Sequence, residues 1–188
     1  MKALALRGAI TTALVLAFFQ VLPHFPRGVS EVHFIFGAAM YLIFGAGPTA
    51  LGLALGLLLQ GMFFEPRDLP QYFINVTTLI VPLYLATRLV KGIVPHDTPY
   101  VGMKLWQAFV MSLAYQGGII VMVALWAIYG RGFGAENLQG IATFASSYIL
   151  VVVIEPIVAM IVLAASKLAE PESRGHPFFY DRLHHPVA

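Results

Sequence analysis

His33 lies in the stretch Gly28-Val-Ser-Glu-Val-His33-Phe-Ile-Phe-Gly-Ala-Ala39, where a polar loop is expected to turn directly into a short apolar helix. Neutral imidazole is the commonest protein ligand for a borderline transition metal, and a histidine at such a boundary can meet an ion arriving from outside. The competing use of a lone histidine is to cap the helix or to snorkel at a membrane interface. A second group of residues suits the same chemistry in a supporting role. Gln60 falls near the end of one apolar segment, and Gln71, Asn75 and Thr78 are spaced four and three apart, so they share one face of the next helix. Neutral polar groups at membrane depth either bridge helices or form the floor of a polar site.

Glu155 sits deep in the last apolar segment beside Pro156. A carboxylate there is a functional candidate because burying its charge is expensive. Its two readings are a protonated structural residue and a contact with a partner subunit. No Walker lysine loop, Gly-x-Ser-x-Gly, His-Glu-x-x-His or dinucleotide fingerprint occurs, so the chain has no visible means of hydrolysing ATP or a peptide.

The elements that must position these residues follow from composition. Of 188 residues, 59% are hydrophobic and 11% charged, and the mean hydropathy is +0.81, which a water-soluble core has no room for. The chain is therefore expected to be an all-α membrane protein embedded in the lipid bilayer. Zero cysteines exclude disulfides and thiolate metal sites. A net charge of +2 is too small to suggest nucleic acid.

Apolar segments run over about 4–22, 33–44, 49–64, 72–90, 105–129 and 141–168, which predicts six transmembrane helices. The second and third are short and joined by a tight Gly45-Ala-Gly-Pro48 turn, either as tilted spans or as a hairpin. Lys2 and Arg7 ahead of the first segment resemble a signal peptide, but Gln20-Val-Leu-Pro-His24 offers no small-x-small cleavage site, so the segment is expected to be an anchor. Residues 1–168 then form one helical domain and 169–188 a cytoplasmic tail along the interface, with Phe178, Phe179 and Tyr180 at headgroup level and His184 and His185 solvated.

With six crossings, Lys2, Arg7, Arg88, Lys91, Lys104, Lys167, Arg174 and Arg182 share one side and Arg27, Arg67 and Arg131 the other. That bias puts both termini in the cytoplasm and His24 and His33 outside. Small residues recur as Ala9, Ala13 and Ala17 on the first helix and as Gly52 and Gly56 on the third, spacings that serve either packing within the bundle or a partner interface.

The order Gln20, Phe25-Pro26, Ser30-Glu-Val-His33, Gly37-Ala38, Gly47-Pro48, Gln60 and then Asn75 resembles the CbiM/NikM family over roughly residues 18–85. These are the substrate-capturing (S) components of energy-coupling-factor (ECF) cobalt and nickel transporters. In that family a Gln-x-x-Asn-Phe-Pro segment leads into Gly-Thr-Ser-Gly-His-Leu, and a Gln is followed fifteen residues later by Asn-Val. The resemblance implies uptake of cobalt or nickel, with no permanently bound cofactor. It also implies partners, a transmembrane coupling (T) component and a pair of cytoplasmic ATPases, and residence in the bacterial inner membrane. It makes His33 the internal metal-binding histidine.

The family's other ligands, a free N-terminal Met-His, have no counterpart in Met1-Lys2, and the first family helix is expected to be missing. His24 replaces the family's Asn-type position and can supply a second imidazole, with Glu31 or Glu65 as anionic ligands. Such a His/His/carboxylate set suits nickel, cobalt or zinc without choosing among them. The runner-up function is a non-transporting accessory subunit packed against a larger membrane complex, and an intramembrane enzyme using Glu155 ranks below it.

Overall fold

Residues 2–169 and 176–186 are described by a computed structural model. The apolar segments form α1 (Lys2–Val21), α3 (Ala46–Phe63), α4 (Tyr72–Ile93), α5 (Leu105–Arg131) and α6 (Ala135–Leu168), each long and apolar enough to cross a membrane. Between α1 and α3 lie a hairpin of β1 (Phe25–Arg27) and β2 (Ser30–Val32) and a short helix, α2 (Gly37–Phe44). A 3-10 turn over Pro66–Gln71 leads into α4, another over Tyr100–Gly102 joins α4 to α5, and a single helical turn, α7 (Asp181–His184), follows the bundle.

The second pass through the bundle is not a spanning helix. Eight residues rise only about 12 Å, under half of a hydrocarbon core. The hairpin turn at Gly28 touches the backbone of Gly140 at one end of α6, and the backbone of Ile35 and Phe36 meets Glu155, about 22 Å further along that helix. The chain therefore enters as a hairpin and an irregular segment, and α2 completes the pass. Non-helical backbone is tolerated at such depth only where protein or a wet cavity surrounds it.

His33 does not start a helix, as the sequence suggested. The helix begins at Gly37, because the amides of Ile35 and Phe36 are taken by the Glu155 carboxylate, and Phe36 turns the chain through a left-handed conformation (φ 52°). The expected Gly45–Pro48 turn shrinks to one residue: Gly45 (φ 87°) reverses the chain, and Ala46, Gly47 and Pro48 already belong to α3.

Both ends of the described chain lie at the end of the bundle away from the hairpin. Arg7 donates from Nη1 to the Phe179 carbonyl at 3.0 Å and lies over the Tyr180 ring. The Tyr180 amide donates to the Ile43 carbonyl at 2.7 Å, and Lys167 donates to the Met103 carbonyl at 2.6 Å. Residues 176–186 thus pack against this end of the bundle. Phe179 and Tyr180 pack on the core, His184 is buried, and only Phe178 and His185 are exposed as expected. Residues 170–175, with Arg174 of the charge count, lie outside the described residues, as do Met1 and the last two.

α1 packs on α3 through Gly52 and Gly56 against Thr11 and Val15, with Thr11 donating to the Pro48 carbonyl at 2.6 Å. A Cβ at Gly52 would stand 2.5 Å from the Thr11 Cβ and 2.7 Å from its backbone carbon, which cannot move aside. Gly52→Ala should destabilise the protein by about 1–3 kcal/mol, read as a lower thermal midpoint in detergent. Gly47→Ala, with open space at the same atom, should leave the midpoint unchanged.

Candidate functional site

The hairpin, α3, the turn before α4, α4 itself and the facing sides of α5 and α6 line a half-open cavity of about 330 Å³ at the hairpin end of the bundle. Its lining includes the carboxyl groups of Glu31 and Asp68 and the imidazole of His33, together with the polar side chains of Gln60, Gln71, Asn75 and Thr78. All four amide and hydroxyl residues expected to support the site therefore line one space. α4 presents Asn75 and Thr78 on one face, and Gln71 joins them from the residue that caps the helix.

His33 Nε2 donates to Glu31 Oε2 at 3.1 Å. That bond, aided by the charges of His33 and His24, holds the Glu31 carboxyl below the usual carboxylate range against the opposing pull of partial burial. The side chain of His33 is only 12% exposed, its ring stacks on Phe19 at 4.5 Å, and its Nδ1 is buried with no hydrogen-bond partner. Ligand–metal distances of about 2.0–2.2 Å put neighbouring ligands of one ion about 3 Å apart. The spacing of Nε2 and Oε2 is thus that of two ligands of a shared cation, which would displace the proton between them.

The other two expected ligands are arranged differently. His24 is exposed and stacks nearly parallel on His33, centroids 5.2 Å apart and planes 14° from each other. Imidazole lone pairs lie in the ring plane, so stacked rings do not aim nitrogens at one point. Glu65 is exposed and does not line the cavity. Asp68, three residues later, does line it, within electrostatic reach of Glu31, Glu65 and His33. The sequence analysis does not single out Asp68; the available signal is Pro66 and Pro70, which tighten that loop into a 3-10 turn. Among the described residues, no group of three or more His, Asp or Glu side chains is close enough to hold a metal by itself.

Glu155 was weighed as a partner contact, and the structure corrects this. It is 1% exposed and bonds entirely inside the chain. Oε1 accepts from the amides of Ile35 and Phe36 at 2.6 and 2.9 Å, and Oε2 accepts from Gln116 Nε2. Gln116 Oε1 in turn accepts from the Tyr148 hydroxyl at 2.8 Å, and Tyr148 lines the cavity. The buried carboxylate thus fastens the segment that follows His33 to α5 and α6.

Ala9, Ala13 and Ala17 are exposed along α1, on the side away from its contact with α3. Gly52 and Gly56, by contrast, pack against α1.

A family model described as the cobalt uptake substrate-specific transmembrane region, CbiM, matches residues 2–173. No curated protein and no solved structure matches the chain.

Proposed function

Because the chain belongs to the CbiM family of cobalt uptake substrate-specific transmembrane proteins, we propose that it captures a divalent transition metal, cobalt or nickel, in the cavity beside His33. The observation that carries this reading is the 3.1 Å pairing of His33 Nε2 with Glu31 Oε2 on a polar wall, a ready pair of nitrogen and oxygen ligands. Asp68 adds negative charge across the cavity, and Gln60, Gln71, Asn75 and Thr78 hydrogen-bond whatever completes the ion's shell. Cobalt is cargo here, not a resident cofactor, and the protein acts by binding rather than by catalysis.

On this reading the hairpin end faces outward and both termini face the cytoplasm of a bacterial inner membrane. Support comes from the eight basic residues assigned to the terminal end against three at the other. Cysteines placed singly at Arg131 and at His185 should differ in labelling by an impermeant thiol reagent in intact cells, Arg131→Cys reacting and His185→Cys not. The reverse pattern would turn the cavity inward and end the capture reading.

We extend to this chain the partners that its family resemblance implies, a transmembrane coupling protein and a pair of cytoplasmic ATPases, in keeping with a sequence that carries no nucleotide-binding motif. We assign the docking surface to the exposed stripe Ala9, Ala13 and Ala17, where small side chains let another helix approach closely. Ala13→Leu should weaken co-purification with the coupling protein while leaving the isolated protein's thermal midpoint unchanged. An unchanged complex would place docking elsewhere.

The test of the function is cobalt accumulation by cells carrying this chain with its coupling protein and ATPases. Accumulation should need His33; equal accumulation with His33→Ala, or none with the native chain, would contradict the assignment.

A further inference from the structure

The cavity is large for a bare ion and poor in ions' ligands. A six-coordinate divalent cation with all its water occupies about 180 Å³, taking about 30 Å³ per water. The cavity beside His33 measures about 330 Å³, and a second space of about 240 Å³ shares Val29, Ser30, Gln71, Asn75, Thr78 and Val123 with it. The second space extends between α4 and α5 to Trp126 and to the exposed guanidinium of Arg131.

Across both spaces the lining has one imidazole, His33, and two carboxylates, Glu31 and Asp68, which among the described residues do not form a closed ligand set. Apart from the Arg131 guanidinium and the Trp126 indole at the far end of the second space, the remaining polar side chains are amides and hydroxyls. These groups are weak ligands for cobalt or nickel but good hydrogen-bond partners for the amines and carboxylates of an organic molecule.

Resting on the capture reading above, we propose that the preferred cargo is a metal already chelated by a small amino-carboxylate, which brings most of its own ligands. His33 contributes one nitrogen to the metal. The amides of Gln60, Gln71 and Asn75 bond the chelator, and Arg131 receives an outward carboxylate at the far end of the second space. A guanidinium suits that role because it binds carboxylates in a two-pronged manner.

The test is equilibrium dialysis of the purified protein against cobalt(II) alone and against the cobalt(II)–bis-histidine complex, with radiolabelled histidine counted beside the metal. The complex should bind at least about 10-fold more tightly than the hydrated ion, the gain expected from one or more charge-assisted hydrogen bonds. Labelled histidine should be retained with the cobalt. Arg131→Gln should remove most of that advantage while leaving the affinity for cobalt alone unchanged, and His33→Ala should weaken both. Cobalt alone binding as tightly as the complex, or cobalt retained without histidine, would overturn the chelate proposal and leave metal capture standing. Retention of neither would overturn both.

Discussion

His33→Ala should lower cobalt affinity by at least about 100-fold, beyond the range that loss of a supporting residue produces. The expectation follows from position: among the residues lining the cavity, His33 is the one imidazole, and its Nε2 already stands 3.1 Å from a carboxylate oxygen. Gln71→Ala, which removes a hydrogen-bonding group from the wall but no ligand, should weaken binding about 10–100-fold. His24→Ala should have the least effect of the three, since its ring stacks on His33 and lies outside the cavity lining. Calorimetry with cobalt on each purified variant orders them. Binding should also release a proton, because a cation between Nε2 and Oε2 displaces the one they share. Running the titration in buffers of different ionisation enthalpy detects that release.

Glu155→Ala should damage both stability and binding. One carboxylate accepts from the amides of Ile35 and Phe36 and from the Gln116 side chain, and a buried donor left without an acceptor costs about 1–3 kcal/mol. Loss of three partners is therefore expected to destabilise the protein by about 3 kcal/mol or more. Because Ile35 is two residues from His33, the freed segment should also lower cobalt affinity. Glu155→Gln keeps an acceptor for the two amides and should recover most of that affinity. A purely space-filling role for Glu155 predicts instead that Glu155→Leu restores binding as well as Glu155→Gln does. Equal binding and equal thermal midpoints for the native protein and Glu155→Ala would remove the carboxylate from any role in holding the segment.

The parts of this molecule legible in its sequence are those that depend on neighbours in the chain. Long apolar runs mark α1, α3, α4, α5 and α6 because a helix in lipid satisfies its own backbone. Gln71, Asn75 and Thr78 share a face by helical spacing alone, and they meet Gln60 and His33 in one cavity. What stayed hidden depends on contacts across the fold. The non-helical path of 33–36 is held by Glu155, 120 residues from Ile35. The hairpin is too short to show a period, and its turn rests on Gly140. Glu155 reads as exposed or buried depending on which face of α6 meets the segment, and hydropathy in a uniformly apolar helix does not say which. Asp68 and Glu65 look alike in sequence, and only the turn at Pro66–Gln71 separates the one that lines the cavity from the one that does not.

The most direct measurement is X-ray absorption at the cobalt edge on purified protein loaded with cobalt alone. The native chain should retain near-stoichiometric cobalt with mixed nitrogen and oxygen ligands and the outer-shell scattering of a coordinated imidazole, and that scattering should vanish from any cobalt left on His33→Ala. No retained cobalt in the native protein, or the same imidazole scattering in His33→Ala, would contradict capture at His33.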